Sequence, residues 1–481
     1  MENPSKSITS LLVYSSWNLV FSCFMGSRVT LNDFLTCALE FSERTSESRP
    51  RNMEAYHDHA IPELPTEIIF THILPRLPPK DLMMRCTCVC KSWSSFIRSS
   101  SFVAAFRNFC GNDNNKSTTN FLFQKYHRFL SSKIEKQGNV STPAVGICEV
   151  FEYCLSYDGK IQELGRYYPD VQSVHGLICG SSSCQPEFFI LNPSTREYIE
   201  LPHAKERPVN HYAHHAYHFG FSPLANEYKV LQVLSFRLDQ GDKWDLAFNT
   251  FTLGRDSWWR PLQVDHGDLP FDALAYASDS RGKRSTASVC LNGAVYWIYE
   301  EQKMLVAFDV KEETFKALPL PEDYDQVFAN YYADQDYEQY SGIDANDYCC
   351  PTMVKVGGCV GVFADMSWKH DKIVLWILKD YQNIVWVKET ISLASEREYL
   401  GYRRCIEALG TIHTGEFALV HYFIGFSPGY DDGPPELRLY DMKSKQYRVI
   451  DFAFPDYQQN RVYPFPIKLI NIYDDSIVPL K

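Results

Sequence analysis

Cys86, Cys88 and Cys90 place three thiols within five residues, a spacing that would suit a soft metal if all three converged. On a helix only Cys86 and Cys90 share a face, and no second thiol pair or histidine follows at ligand spacing. No metal is therefore expected there, and Cys90 reads as buried packing. His211, His214, His215 and His218 form the other metal-like group. A helix would gather all four, but they lead into the strand-like phrase FGFSP, and a strand turns His215 to the opposite face from His214 and His218. Trp258, Trp259 and Trp297 could make an aromatic platform for a ligand, although aromatics at turn–strand positions more often fill the space between sheets. No phosphate-binding loop, dinucleotide fingerprint, His-Glu-x-x-His or nucleophile elbow is present. Carboxylates are too common for any pair to stand out as acid and base. The residues point to recognition rather than bond chemistry, with neither cofactor nor metal.

The elements that would position such a surface fall into three zones. Residues 1–60 show no sustained period and end in the polar stretch SERTSESRPRNMEAYHDH, which reads as a variable or disordered extension. Residues 61–110 are helical in pattern. Pro65 suits a first helical turn, with Leu64, Ile68, Ile69, Ile73 and Leu74 at helical spacing. Pro75 and Pro78-Pro79 then end that helix, and a second is expected with Leu82, Cys86, Val89, Cys90, Trp93 and Ile97 on one broad apolar face. A unit of about 45 residues in three short helices is marginal alone and gains by docking its apolar face on a partner.

From 120 to 470 short apolar or alternating runs are separated by Gly, Pro, Asn and Asp, the habit of an all-β domain. The 15% aromatic content leans the same way. A phrase recurs in which a strand meets a polar turn and a second strand follows, near Asp158, Asn192, Asp256, Asp309, Asp380 and Asp441. From Asn192 onward the steps are 64, 53, 71 and 61 residues, which suits one propeller blade of about 40–50 residues plus insertions. The first step, 34 residues, is too short for a blade. A six-bladed or incomplete β-propeller is expected, with a large β-sandwich as the competing architecture. The fold class is α+β by segregated domains.

The stretch IPELPTEIIFTHILPRLPPKDLMMRCTCVCKSWSSFIRSSSFVAAF resembles the F-box, with Leu64-Pro65, Leu77-Pro78, Leu82, Val89-Cys90-Lys91-Ser92-Trp93 and a Ser-rich turn before Phe102 in order. Downstream, His175-Gly176-Leu177-Ile178, LNPSTREYIELP, FGFSPLANEYKV, RDSWWRPL, VCLNGAVYWI and AFDVKEETFKALPLP resemble the plant F-box-associated domain. The resemblance implies that Leu64, Pro65, Ile68, Leu77, Pro78, Leu82, Val89, Cys90 and Trp93 bind the S-phase-kinase-associated adaptor and, through it, a cullin. It further implies that the β-domain holds an unidentified target protein for ubiquitin transfer. The alternatives are a β-propeller enzyme or sugar-binding protein carrying an accessory helical unit, and an F-box protein working outside a ligase.

Charge agrees with a protein partner: the net charge of -12 argues against nucleic-acid binding. The 15 scattered cysteines are expected to be reduced, which suits cytoplasm or nucleus. Residues 8–24 are apolar, but four Ser, an Asn and a Thr interrupt them, so no membrane role is expected. Translation from Met53 would make the preceding residues a variable extension. The acidic, Tyr-rich stretch 321–348 departs from the family pattern and is either a solvated loop or a target-contacting one.

Overall fold

A computed structural model describes residues 74–77, 79–111, 118–125, 128–135, 145–149, 154–155, 161–162, 171–181, 188–202, 213–237, 244–278, 288–327, 351–366, 372–393, 402–425, 436–450, 452 and 468–480. The chain divides into two compact units between Trp93 and Ser94. The first contains a 3-10 turn at Leu74–Arg76, helix α1 (Pro79–Met84), a 3-10 turn at Cys86–Cys88 and the start of α2 (Lys91–Ile97). The single helix expected across Leu82 to Ile97 is interrupted between α1 and α2. Cys, Thr and Val between 86 and 90 are weak helix formers, and the Thr87 hydroxyl donates back to the Met83 carbonyl at 2.6 Å, competing with the ladder.

Helix α3 (Ser100–Gly111) belongs to the second unit. Ser99 caps it, its hydroxyl oxygen accepting from the Phe102 amide at 3.3 Å. Phe102, Val103 and Phe106 are buried. Arg107 bolts the helix to the β-structure: its guanidinium donates to Asn226 Oδ1 at 2.5 Å and lies 4.2 Å over the Phe221 ring.

The rest of this unit is a six-bladed propeller of four-stranded antiparallel sheets. Blade I contains β1 (Thr118–Lys125), β2 (Arg128–Glu135) and β3 (Val145–Glu149). A hairpin of β4 (Cys154–Leu155) and β5 (Ile161–Gln162) stands outside the blades. Blade II is β6 (Val171–Val174), β7 (Leu177–Ser181), β8 (Phe188–Asn192) and β9 (Glu197–Glu200). Blade III is β10 (Ala213–Ser222), β11 (Glu227–Arg237), β12 (Trp244–Thr252) and β13 (Arg260–Pro261), followed by the short helix α4 (Ala273–Ser278). Blade IV is β14 (Val289–Leu291), β15 (Ala294–Tyr299), β16 (Met304–Asp309) and β17 (Phe315–Pro319). Blade V is β18 (Thr352–Val356), β19 (Cys359–Asp365), β20 (Lys372–Asp380) and β21 (Val385–Ser392). Blade VI is β22 (Tyr402–Thr411), β23 (Phe417–Gly425), β24 (Glu436–Asp441) and β25 (Gln446–Ile450). The last strand, β26 (Lys468–Tyr473), pairs with β1 as the inner strand of blade I and closes the ring.

Inner strands touch in the order β26, β6, β10, β14, β18, β22 and back to β26, so the ring is complete and the sandwich alternative falls. The core lies between neighbouring blades. Blades III and IV enclose Leu231, Phe248, Trp297 and Phe308, while blades IV and V enclose Tyr296, Leu305, Val362 and Trp376.

In blades II–VI, five of the six recurring polar phrases are the hairpins between third and fourth strands. Asn192, Asp309 and Asp380 each accept two backbone N–H groups from their turns, and Asp441 accepts one. The fourth residue onward takes a left-handed conformation in each: Arg196, Glu313, Ile384 and Lys445. Asp256 closes its turn differently, accepting from the Thr252 amide. The phrase near Asp158 falls between β4 and β5, which is why the step of 34 residues was too short to be a blade.

First-to-second strand turns are equally tight. His175-Gly176, Asn292-Gly293 and Gly357-Gly358 have positive φ at both positions, as a two-residue hairpin turn of the primed type requires. All these short turns gather on one edge of the ring. The opposite edge carries the second-to-third strand and blade-to-blade connections, which lengthen to 262–288 and 320–351. Through Asn226, α3 sits on the tight-turn edge.

Candidate protein-docking site

In the first unit, Leu74, Pro79 and Leu82 are buried. Leu82 has no exposed surface at all. Asp81 beside it is also buried; loss of water raises its carboxyl above the ordinary range, against the opposing pull of Arg85 at 3.7 Å. The outward side mixes exposed Lys80, Lys91 and Ser92 with large apolar groups. Met84 is 69% exposed and Val89 46% exposed, with Cys88 and Cys90 open beside them. Leu77 and Trp93 are half-buried. Leu64, Pro65, Ile68 and Pro78 lie outside the described residues.

Cys90 is therefore not buried packing: the break between α1 and α2 turns it to the surface. Cys86 is the inward thiol, and burial pushes it up to about 12, leaving it protonated and inert. Met84 was not singled out in the sequence, because it lies off the apolar stripe that helical spacing marks. Its departure from that stripe was the available signal.

In the propeller, β10 separates the histidines as strand geometry demands. His218 is buried and stacks on Trp297 with ring centroids 4.2 Å apart, and burial lowers it to about 3, so it is neutral. His215 faces the other side, where Gln232 Nε2 lies 3.3 Å from its Nδ1. His211 lies outside the described residues. Trp259 fills the gap between blades II and III, its indole N–H donating to the Pro202 carbonyl at 2.5 Å, and Trp297 is buried; Trp258 is exposed.

The stretch 321–348 is described only to Val327. Its root is pinned: the Trp376 indole donates to Asp323 Oδ1 at 2.8 Å, Lys388 bonds Asp323 Oδ2, and the Tyr324 hydroxyl donates to Glu300 Oε2 at 2.5 Å. Among the described residues, no helix is long and apolar enough to cross a membrane. Residues 8–24 lie outside them.

The family of F-box associated beta propeller domains matches residues 118–469, nearly the whole ring. The chain belongs to this family. An F-box-like family matches residues 61–103, which takes in α1, α2 and the first turn of α3. This F-box-associated propeller protein is similar to several Arabidopsis thaliana proteins. The F-box protein At1g52495 is 28% identical over 54% of this chain and 57% of its own length. The F-box/kelch-repeat protein At4g19930 is 23% identical over 85% of this chain and 89% of its own. Among solved structures, a beta-fructofuranosidase from Bombyx mori aligns at 11% identity over 61% of this chain and 66% of that one, with a TM-score of 0.29. A likeness that weak carries no argument about catalysis.

Proposed function

We propose that the protein is the substrate-recognition subunit of an adaptor–cullin–F-box (SCF-type) ubiquitin ligase. The first unit docks the S-phase-kinase-associated adaptor and through it a cullin; the propeller holds a target protein. What carries the reading is the exposure of the large apolar residues Met84 and Val89, inside the F-box-like match and on the same chain as a six-bladed ring. Large apolar side chains left in water on so small a unit are what a docking partner covers. The subunit performs no bond chemistry itself; it contributes proximity, holding target lysines near a ubiquitin-loaded enzyme. It works in the cytoplasm or nucleus, in keeping with free cysteines among the described residues. Neither nucleic acid nor membrane is a partner in this reading.

We put target docking on the long-connection edge, because α3 occupies the tight-turn edge. A target captured by the full chain should bind more weakly once 325–345 is deleted; undiminished binding would leave that connection a solvated loop.

The first test is co-purification with adaptor and cullin. Val89→Asp and Met84→Asp change exposed positions and should abolish adaptor capture while leaving the ring folded. The pair Leu77→Ala with Pro78→Ala should do the same. If wild type itself captures neither partner, the receptor reading fails.

A further inference from the structure

Blade II opens its third-to-fourth strand turn on a different residue type from blades IV, V and VI. Asp309, Asp380 and Asp441 begin theirs, whereas blade II has Asn192. The carbonyl oxygen of Asn192 does what the aspartates do, accepting the Ser194 and Thr195 amides at 3.0 and 3.3 Å. Its amide nitrogen does something they cannot. It donates to the carbonyls of Val478 and Ser476, at 2.9 and 3.3 Å. A carboxylate accepts only, and would face those two carbonyls with negative charge.

The segment it grips, 474–480, follows the ring-closing strand and crosses from blade I to blade II. Asp475 is held on the blade I side by Asn120 Nδ2 at 3.1 Å and Lys133 at 3.7 Å, and it accepts from the Ser194 hydroxyl of blade II at 3.4 Å. The Ser476 amide donates to Ser194 Oγ at 3.1 Å, and the Leu480 amide to Glu197 Oε2 at 2.9 Å. Ser476, Ile477, Val478 and Leu480 are all buried. Gly176 makes room: a Cβ there would come within 2.6 Å of the Asp474 carbonyl oxygen and of Ser476 Cβ.

We propose that residues 474–480 are a clasp that locks the ring across the seam between blades I and II, and that position 192 is asparagine because the clasp needs a donor. Strand β26 completes blade I and reaches blade II through Asn471, whose amide donates to the Val171 carbonyl at 3.1 Å; the clasp adds a second fastening across the same seam. Ring closure thus has two separable parts, and the second is set by the LNPSTRE phrase.

Hydrogen exchange read peptide by peptide on the full chain tests this. Asn192→Asp keeps the turn, since aspartate serves in three other blades, but loses both donors. Exchange in 474–480 should accelerate about tenfold or more, with blades I and II following and blade V unchanged. Asp441→Asn, the reverse exchange at a turn with no clasp, should leave 474–480 unchanged. Unaltered exchange of 474–480 in Asn192→Asp would overturn the proposal. A chain lacking 474–481 gives a second reading: its blade I and II peptides should lose protection and regain it on addition of a synthetic 474–481 peptide. If the shortened chain exchanges like the intact one, or the peptide restores nothing, the clasp does not lock the seam.

Discussion

Single side chains decide how closely blades approach. Gly220 on β10 has no room for a methyl: a Cβ would sit 2.5 Å from Cγ2 of both Val295 and Val310 on blade IV. Gly220→Ala should cost about 1–3 kcal/mol, read from the urea midpoint, because the neighbours are branched and cannot swing away. Glu313 bonds Lys229 at 2.6 Å and also Arg260, joining blades III and IV. Burial would raise its carboxyl, but the hydrogen bonds from Arg260 and Lys229 outweigh that and hold it below its ordinary value of 4.5. Glu416 is lowered mainly by its hydrogen bond from Arg448. For a lowered carboxyl, the stabilisation is full above the unfolded value and is lost as pH falls through the folded one. The urea midpoint should therefore drop as pH falls below about 4.5, and less steeply in Glu313→Gln. Glu313→Ala should cost about 3 kcal/mol at neutral pH, since Lys229 is left buried without its partner. At this scale the sequence was partly legible. Strand alternation separated His215 from His218, but nothing in the string marked Cys90 as exposed, because that depends on where a weak helix breaks.

Elements repeat more faithfully than the residues that fill them. The polar phrases were visible as a series, and their meaning as the outer hairpin of each blade follows from strand pairing, which a sequence does not display. The Asp158 phrase has the same local chemistry but forms a hairpin outside the blades, so local pattern alone could not sort it from the rest. The left-handed residue four places after Asn192, Asp309, Asp380 and Asp441 is likewise a product of turn geometry. Arg196 is exposed there with φ 62°. A left-handed conformation costs an ordinary residue about 1–2 kcal/mol, and glycine returns roughly 0.5–1 of that as lost chain freedom. Arg196→Gly should thus stabilise by about 0.5–1 kcal/mol, and calorimetry should show a higher melting temperature.

For the whole molecule, the decisive contacts join the two ends of the β-domain. Asn120 pairs with Tyr473, and its amide nitrogen donates to the Tyr473 carbonyl across 353 positions. Blade I stays unfinished until β26 arrives, so refolding should be slow, on the scale of about seconds, with the β1 signal last to appear. Removing 468–481 should leave blade I with an open edge and the chain prone to aggregate, seen by light scattering. The expected count of six rested in part on the Asp158 phrase, which belongs to none of the blades. Five outer hairpins announce five blades, while the sixth is assembled from opposite ends of the domain and carries no recurring phrase.

The partition of connections between the two edges suits the ring to a use as a scaffold. Tight turns, the helical arm and the clasp all lie on one edge, while the long connections of the other root themselves in the core, Leu269, Phe271 and Ala277 with blades III and IV and Leu320 and Tyr324 with blades IV and V. Doubling a flexible connection costs only about 0.6 kcal/mol in closure entropy. A library of sequences inserted past those roots, at 279–287 and 328–350, would vary the presented surface over a fixed chassis, and selection from it could yield receptors for targets of the experimenter's choosing.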